Sequence, residues 1–212
     1  MSKFRLISIV LSIMLIYSLS PSNIFAKGDI RDVTTGINVT SLPLEGYTNF
    51  LCFLNKKEIN SWSDYYLCDK NKKDLHVLSY EYDDRYSFNE NYEGTQVAGH
   101  PVKISILISS KGIIEQINII TDPDAPMYFK RQAHNLYLRV RARYGADEWE
   151  CISFKQEDDE TILGKEYINK LCRKVLDKKQ IITKTELYLK QGNEPKPQLV
   201  SKSELIIGRL DK

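Results

Sequence analysis

Four cysteines, Cys52, Cys68, Cys151 and Cys172, constrain this chain more than any other feature, because the segment ahead of them decides what they become. Lys3 and Arg5 make a short positive head, and residues 6–19 form an apolar run interrupted by single serines. The run is too short to span a bilayer comfortably and gives way to Pro21, Ser22, Asn23 and the small Ala26. This is the pattern of an export signal, with cleavage expected after Ala26. Ile24, the third residue before that cut, is bulkier than the usual residue there and leaves an uncleaved anchor as the alternative.

Export places the cysteines in an oxidising compartment, periplasmic or secreted, where an even count reads as two disulfides. Sequence alone leaves three connectivities open. Pairing Cys52 with Cys68 and Cys151 with Cys172 closes the shortest loops, and locality alone favours it. By the loop-entropy argument each such bridge stabilises the fold by roughly 3 kcal/mol. Structural zinc and redox catalysis both favour closely spaced CxxC pairs, which are absent, so no metal and no cofactor is expected.

Charge narrows the partners. The 212-residue chain has 30 basic and 28 acidic residues, and Lys3 and Arg5 would leave with residues 1–26, so the processed chain carries 28 of each. Its formal net charge is zero. The basic pI of the whole chain is thus a property of the leader, and nucleic acid is disfavoured as a partner. Residues 27–212 are expected to form a single exported domain with no transmembrane span.

Along that domain, residues 27–41 read as an extended lead-in with room for a short edge strand. Ser41 as a cap and Pro43 in a first turn predict a short helix over 41–54 that carries Cys52. A loop over 55–73 holds Trp62, Tyr65, Tyr66 and Cys68, and a strand over 74–82 follows. Two β-branched runs, 102–109 and 113–121, flank Ser110, Lys111 and Gly112, which predicts a central β-hairpin. The turn residues Asp122 to Pro126, with Asp124 as cap, then start a long helix over about 126–144 ended by Gly145. Its inward stripe would be Phe129, Ala133, Leu136, Tyr137, Val140 and Tyr144. Alternation within 136–144 also permits a strand there, and helix is preferred for the cap signals and unbroken length. Beyond it come a short strand near Trp149 and Cys151, an acidic loop over 157–160, a short helix over 165–176 carrying Cys172, and two strands over 181–190 and 199–210. The order implies an α+β fold: a largely antiparallel sheet packed by the long helix and held by two disulfides.

No GxSxG, HExxH, GxxxxGK or strand-following GxGxxG occurs. Of the histidines His76, His100 and His134, the first reads as a strand residue and the last as a helix residue. His100 is the one weak catalytic candidate, because Gly99 and Pro101 fix the backbone around it. Glu81, Asp83 and Asp84, with Glu90 and Glu93 nearby, read as a solvated acidic loop, without the spacing of an EF-hand. The best interaction surface is the basic helix. Lys130, Arg131, His134, Arg139, Arg141 and Arg143 occur with no acid between Asp124 and Asp147, which suits an anionic partner: an envelope polymer, a lipid headgroup or an acidic protein. The plainer reading pairs those arginines with the acidic loop over 157–160. The functional expectation is a non-catalytic binding or accessory protein of the cell envelope or secreted milieu. Its alternatives are an atypical exported hydrolase built from His100 and Glu81, Asp83 and Asp84, and a secreted effector or toxin.

Overall fold

The structure is a computed structural model, and it describes residues 28–83, 95–192 and 195–210. The predicted signal, Asp84, Glu90 and Glu93 lie outside the described residues. One mostly antiparallel sheet of ten strands runs through them: β1 (Tyr47–Cys52), β2 (His76–Tyr82), β3 (Gln96–Val97), β4 (His100–Ile108), β5 (Ile114–Thr121), β6 (Glu150–Ser153), β7 (Glu160–Thr161), β8 (Ile168–Leu176), β9 (Lys179–Lys190) and β10 (Gln198–Arg209). The path is β1-β2-β4-β5-β10-β9-β8-β6, with β3 beside β4 and β7 beside β9. Among the described residues a helical segment of 18 residues packs on it. The α+β expectation therefore reduces to a sheet-dominated fold.

β4 and β5 pair antiparallel from Val102 opposite Thr121 to Ile108 opposite Ile114. Their turn closes where Gly112 takes φ +78° and donates its N–H to the Ser109 carbonyl at 2.9 Å. Alternation then divides the sheet. Ile104, Ile106, Ile117 and Ile119 are buried, whereas Lys103, Ser105, Gln116 and Asn118 between them are open to solvent in part or fully. β10 continues the buried face with Leu205 and Ile207, against which the helical segment sets Leu136 and Val140.

Three local predictions are corrected. Residues 41–54 are not a helix: a 3₁₀ turn at Val39–Ser41, capped by the Asn38 side chain, precedes β1. Gly46 at φ +84° reverses the chain there, and Tyr47, Phe50 and Cys52 gain more by burial against β2 than a short helix offers. The predicted helix over 165–176 is likewise replaced: residues 168–176 are β8, because Cys172 pairs in register with Cys151 on β6 and with Thr183 on β9. In the lead-in only isolated bridges occur, Ile30 with Val33 and Asn38 with Ile113. The disulfides are Cys52–Cys68 and Cys151–Cys172, the local pairs. Cys52 sits on β1 at one margin of the sheet path and Cys151 on β6 at the other.

The loop after β1 folds inward on Trp62. Its ring meets those of Tyr47, Phe50 and Tyr80 edge-on at 5.1, 4.7 and 4.9 Å, and its Nε1 donates to the Pro43 carbonyl at 2.9 Å. His76 is part of the same support, donating from Nδ1 to the Cys68 carbonyl at 2.6 Å.

Candidate functional site

The helical segment begins from an acidic turn. Asp124 donates its backbone N–H to the Asp122 side chain at 2.9 Å, and the Lys103 ammonium of β4 reaches both carboxylates. The predicted cap at Asp124 is thereby corrected: Pro126 occupies the N-cap position and no side chain caps the helix. Hydrogen bonding to Lys103 holds the Asp124 carboxyl below its usual value, and the same bond raises Lys103. The two acids nearest the start of the segment thus share one cation from β4.

From there the chain forms α1 (Met127–Gln132), a 3₁₀ turn over Ala133–Asn135, and α2 (Leu136–Tyr144). Residues 136–144 are helix, and Gly145 at φ +86° ends it. The tightening has a polar cause on β10. Ser201 Oγ accepts the His134 backbone N–H at 3.3 Å and hydrogen-bonds its Nδ1 at 3.2 Å, and Ser203 Oγ donates to the His134 carbonyl at 3.1 Å. Ala133, Leu136 and Val140 are buried under this seam, whereas Phe129, Tyr137 and Tyr144 of the predicted stripe are half-buried.

The six predicted basic residues divide in two. His134 is bound to Ser201, Arg141 donates to the Ala146 carbonyl, and Arg143 donates to the Gly28 carbonyl at 2.7 Å. Those three hold the segment in place. Arg131 and Arg139 are exposed and Lys130 half-exposed. None of the arginines engages the acidic loop, which corrects the plainer reading. Glu157, Asp159 and Glu160 instead gather around Lys190, at 3.8, 3.3 and 4.0 Å. A neighbouring network keeps Glu160 and Glu186 ionised: Tyr167 Oη donates to Glu160 at 2.6 Å, Tyr188 Oη to Glu186 at 3.2 Å, and Lys202 lies 3.0 Å from Glu186.

His100 opens β4 beside the helical segment. Burial lowers its imidazole pKa, and the nearby Arg139 and His134 lower it further. No carboxylate among the described residues hydrogen-bonds it. Glu81 lies elsewhere, accepting from Asn49 Nδ2 at 2.6 Å in a cleft of about 1170 Å³ on the uncovered sheet face. Asp83 donates its backbone N–H to the Gly46 carbonyl at 3.0 Å. Nothing in the sequence reading anticipated that cleft. Its floor is a row in register, Ser79 opposite Ser105 and Ser105 opposite Asn118, visible beforehand only as small polar residues at alternate positions of three strands. Much of its polarity is internally satisfied, since Ser79 donates to the Leu51 carbonyl at 2.9 Å and Gln116 to Asn118 at 2.6 Å.

Three large apolar side chains on the helical segment also escaped the sequence reading: Met127, Tyr128 and Leu138 are 56%, 68% and 50% exposed. Comparison with known protein families, with curated proteins and with solved structures finds no match to this chain.

Proposed function

We propose that this is an exported, disulfide-held binding protein that meets an anionic partner through the outer face of residues 127–144. The two disulfides fit an oxidising, exported environment, and no helix among the described residues is long and apolar enough to cross a membrane. The observation that carries the reading is charge segregation on a fixed scaffold. Lys130, Arg131 and Arg139 project from a segment with no acid between Asp124 and Asp147, and that segment is seated on β10 through His134. Binding is favoured over hydrolysis because the fixed charge beside His100 is the Arg139 cation, while Glu81 belongs to a cleft that His100 does not line.

The test is retention on an immobilised sulfated polysaccharide, using protein recovered after export. Arg131→Glu with Arg139→Glu should elute at much lower salt than wild type. Lys57→Glu with Lys72→Glu, an equal charge change on an exposed loop beside β1, should elute near the wild-type position after allowance for net charge. Equal losses in the two variants would remove the helical face from consideration.

A further inference from the structure

We infer that the anionic partner is a membrane surface, on which the outer face of residues 127–144 lies among anionic phospholipid headgroups with Met127, Tyr128 and Leu138 seated at the acyl boundary. This rests on the anionic contact proposed above and deepens it. A helix that packs one face on a sheet is expected to offer a polar face to water. Here the buried side is supplied by Ala133, Leu136 and Val140, yet Met127, Tyr128 and Leu138 are all at least half exposed on the same segment. Large apolar side chains interleaved with Lys130, Arg131 and Arg139, without an acid, are the composition of helices that lie in a headgroup layer.

Charge placement points the same way. The cations are spread along the segment and do not converge on a pocket, which suits the diffuse charge of a lipid surface better than the localised anchors of a protein interface. The flanking acids are partly offset at the N-terminal end, where the Lys103 ammonium pairs with both Asp122 and Asp124. At the other end Gly145 terminates the helix before Asp147 and Glu148. Tyr128 contributes an amphipathic ring suited to the interface itself. Because His134 is fixed to Ser201 and Ser203, the segment is presented already ordered and little conformational entropy is lost on docking.

Sedimentation with vesicles tests this, using protein recovered after export with its N-terminus defined by mass spectrometry. Vesicles of phosphatidylcholine mixed with phosphatidylglycerol should bind the protein, and phosphatidylcholine alone should not. Arg131→Glu with Arg139→Glu should weaken binding by roughly tenfold or more, and added salt should reproduce the effect. Met127→Ser with Leu138→Ser should also weaken vesicle binding several-fold while leaving retention on the sulfated polysaccharide unchanged. All these positions are exposed or half-exposed, and circular dichroism with intact disulfides verifies that each variant is folded. Mixed vesicles that bind no better than phosphatidylcholine, or a Met127→Ser with Leu138→Ser variant that binds them like wild type, would overturn the lipid inference. Polysaccharide retention decides the broader anionic reading separately: retention without vesicle binding leaves an acidic protein or polymer as the partner, and loss of both removes both.

Discussion

Asp29 and Lys179, 150 residues apart in sequence, form an ion pair 2.7 Å long in which the carboxylate is buried. The same carboxylate accepts the Thr35 backbone N–H at 2.9 Å and the Thr34 hydroxyl at 2.8 Å. The pair ties the lead-in to the start of β9. Burial works to raise the Asp29 carboxyl, but Lys179, Thr35 and Thr34 outweigh it and hold the carboxyl below its usual value.

Asp29→Ala should therefore destabilise the fold by about 3 kcal/mol, since it strands Lys179 and orphans the Thr35 N–H. The urea midpoint at neutral pH checks this. A carboxyl with a lowered folded pKa contributes stability above its unfolded value, and that contribution is lost as pH falls through the folded one. The gap between wild type and Asp29→Ala should thus persist at neutral pH and close below about pH 4. A gap independent of pH would assign the loss to packing alone.

The histidines act in a higher window. Burial, with Arg139 and His134 beside it, lowers His100, and burial likewise lowers His134. Their unfolded forms bind protons more readily, so their contribution is fully present above about pH 6.5 and lost as pH falls through the folded values. Denaturation midpoints should fall on acidification across that window. His100→Gln with His134→Gln should flatten the profile there, and an unchanged slope in the double variant would refute the assignment.

The two disulfides should differ in their response to reductant. Cys52 and Cys68 are buried, whereas Cys151 is exposed on β6. Under a mild thiol, differential alkylation followed by mass spectrometry should find label on Cys151 and Cys172 well before Cys52 and Cys68. The same spectra report whether the exported protein begins at Lys27.

Trp62 fills the space between β1, β2 and the inward loop, touching Tyr47, Phe50 and Tyr80. Trp62→Ala should cost about 4 kcal/mol, through lost burial and the cavity left behind. Trp62→Phe keeps most of the ring contact and removes the bond to the Pro43 carbonyl, so its loss should be near 1 kcal/mol. Thermal denaturation of the pair separates packing from the hydrogen bond.

What could be read beforehand follows from where the decisive contacts lie. The β-branched runs of β4 and β5, and the two long strands β9 and β10, carry their pattern locally, and so did the disulfide pairs and the basic helical segment. Residues 41–54 and 165–176 look helical in isolation. Within them 47–52 and 168–176 become strands because Cys52 pairs with Leu78 and Cys172 pairs across to Cys151 and Thr183, contacts set by tertiary pairing. The acid-free charge run was visible as composition. Which of its cations are engaged was not, because the groups that hold His134 and Arg143 come from Ser201 and Gly28, 67 and 115 residues away. Exposure of Met127, Tyr128 and Leu138 was hidden for the same reason, since the inner face is chosen by β10.

The placement of Cys52 and Cys151 on opposite margins of the sheet gives the fold a dependence on its surroundings. A sheet comes apart most readily at its outermost strands, where pairing is one-sided. Where thiols stay reduced, β1 and β6 are held by their ladders and local packing alone, and both margins open more readily. Once oxidised, both margins are closed covalently. The same polypeptide is thus a looser sheet under reducing conditions and a closed one under oxidising conditions.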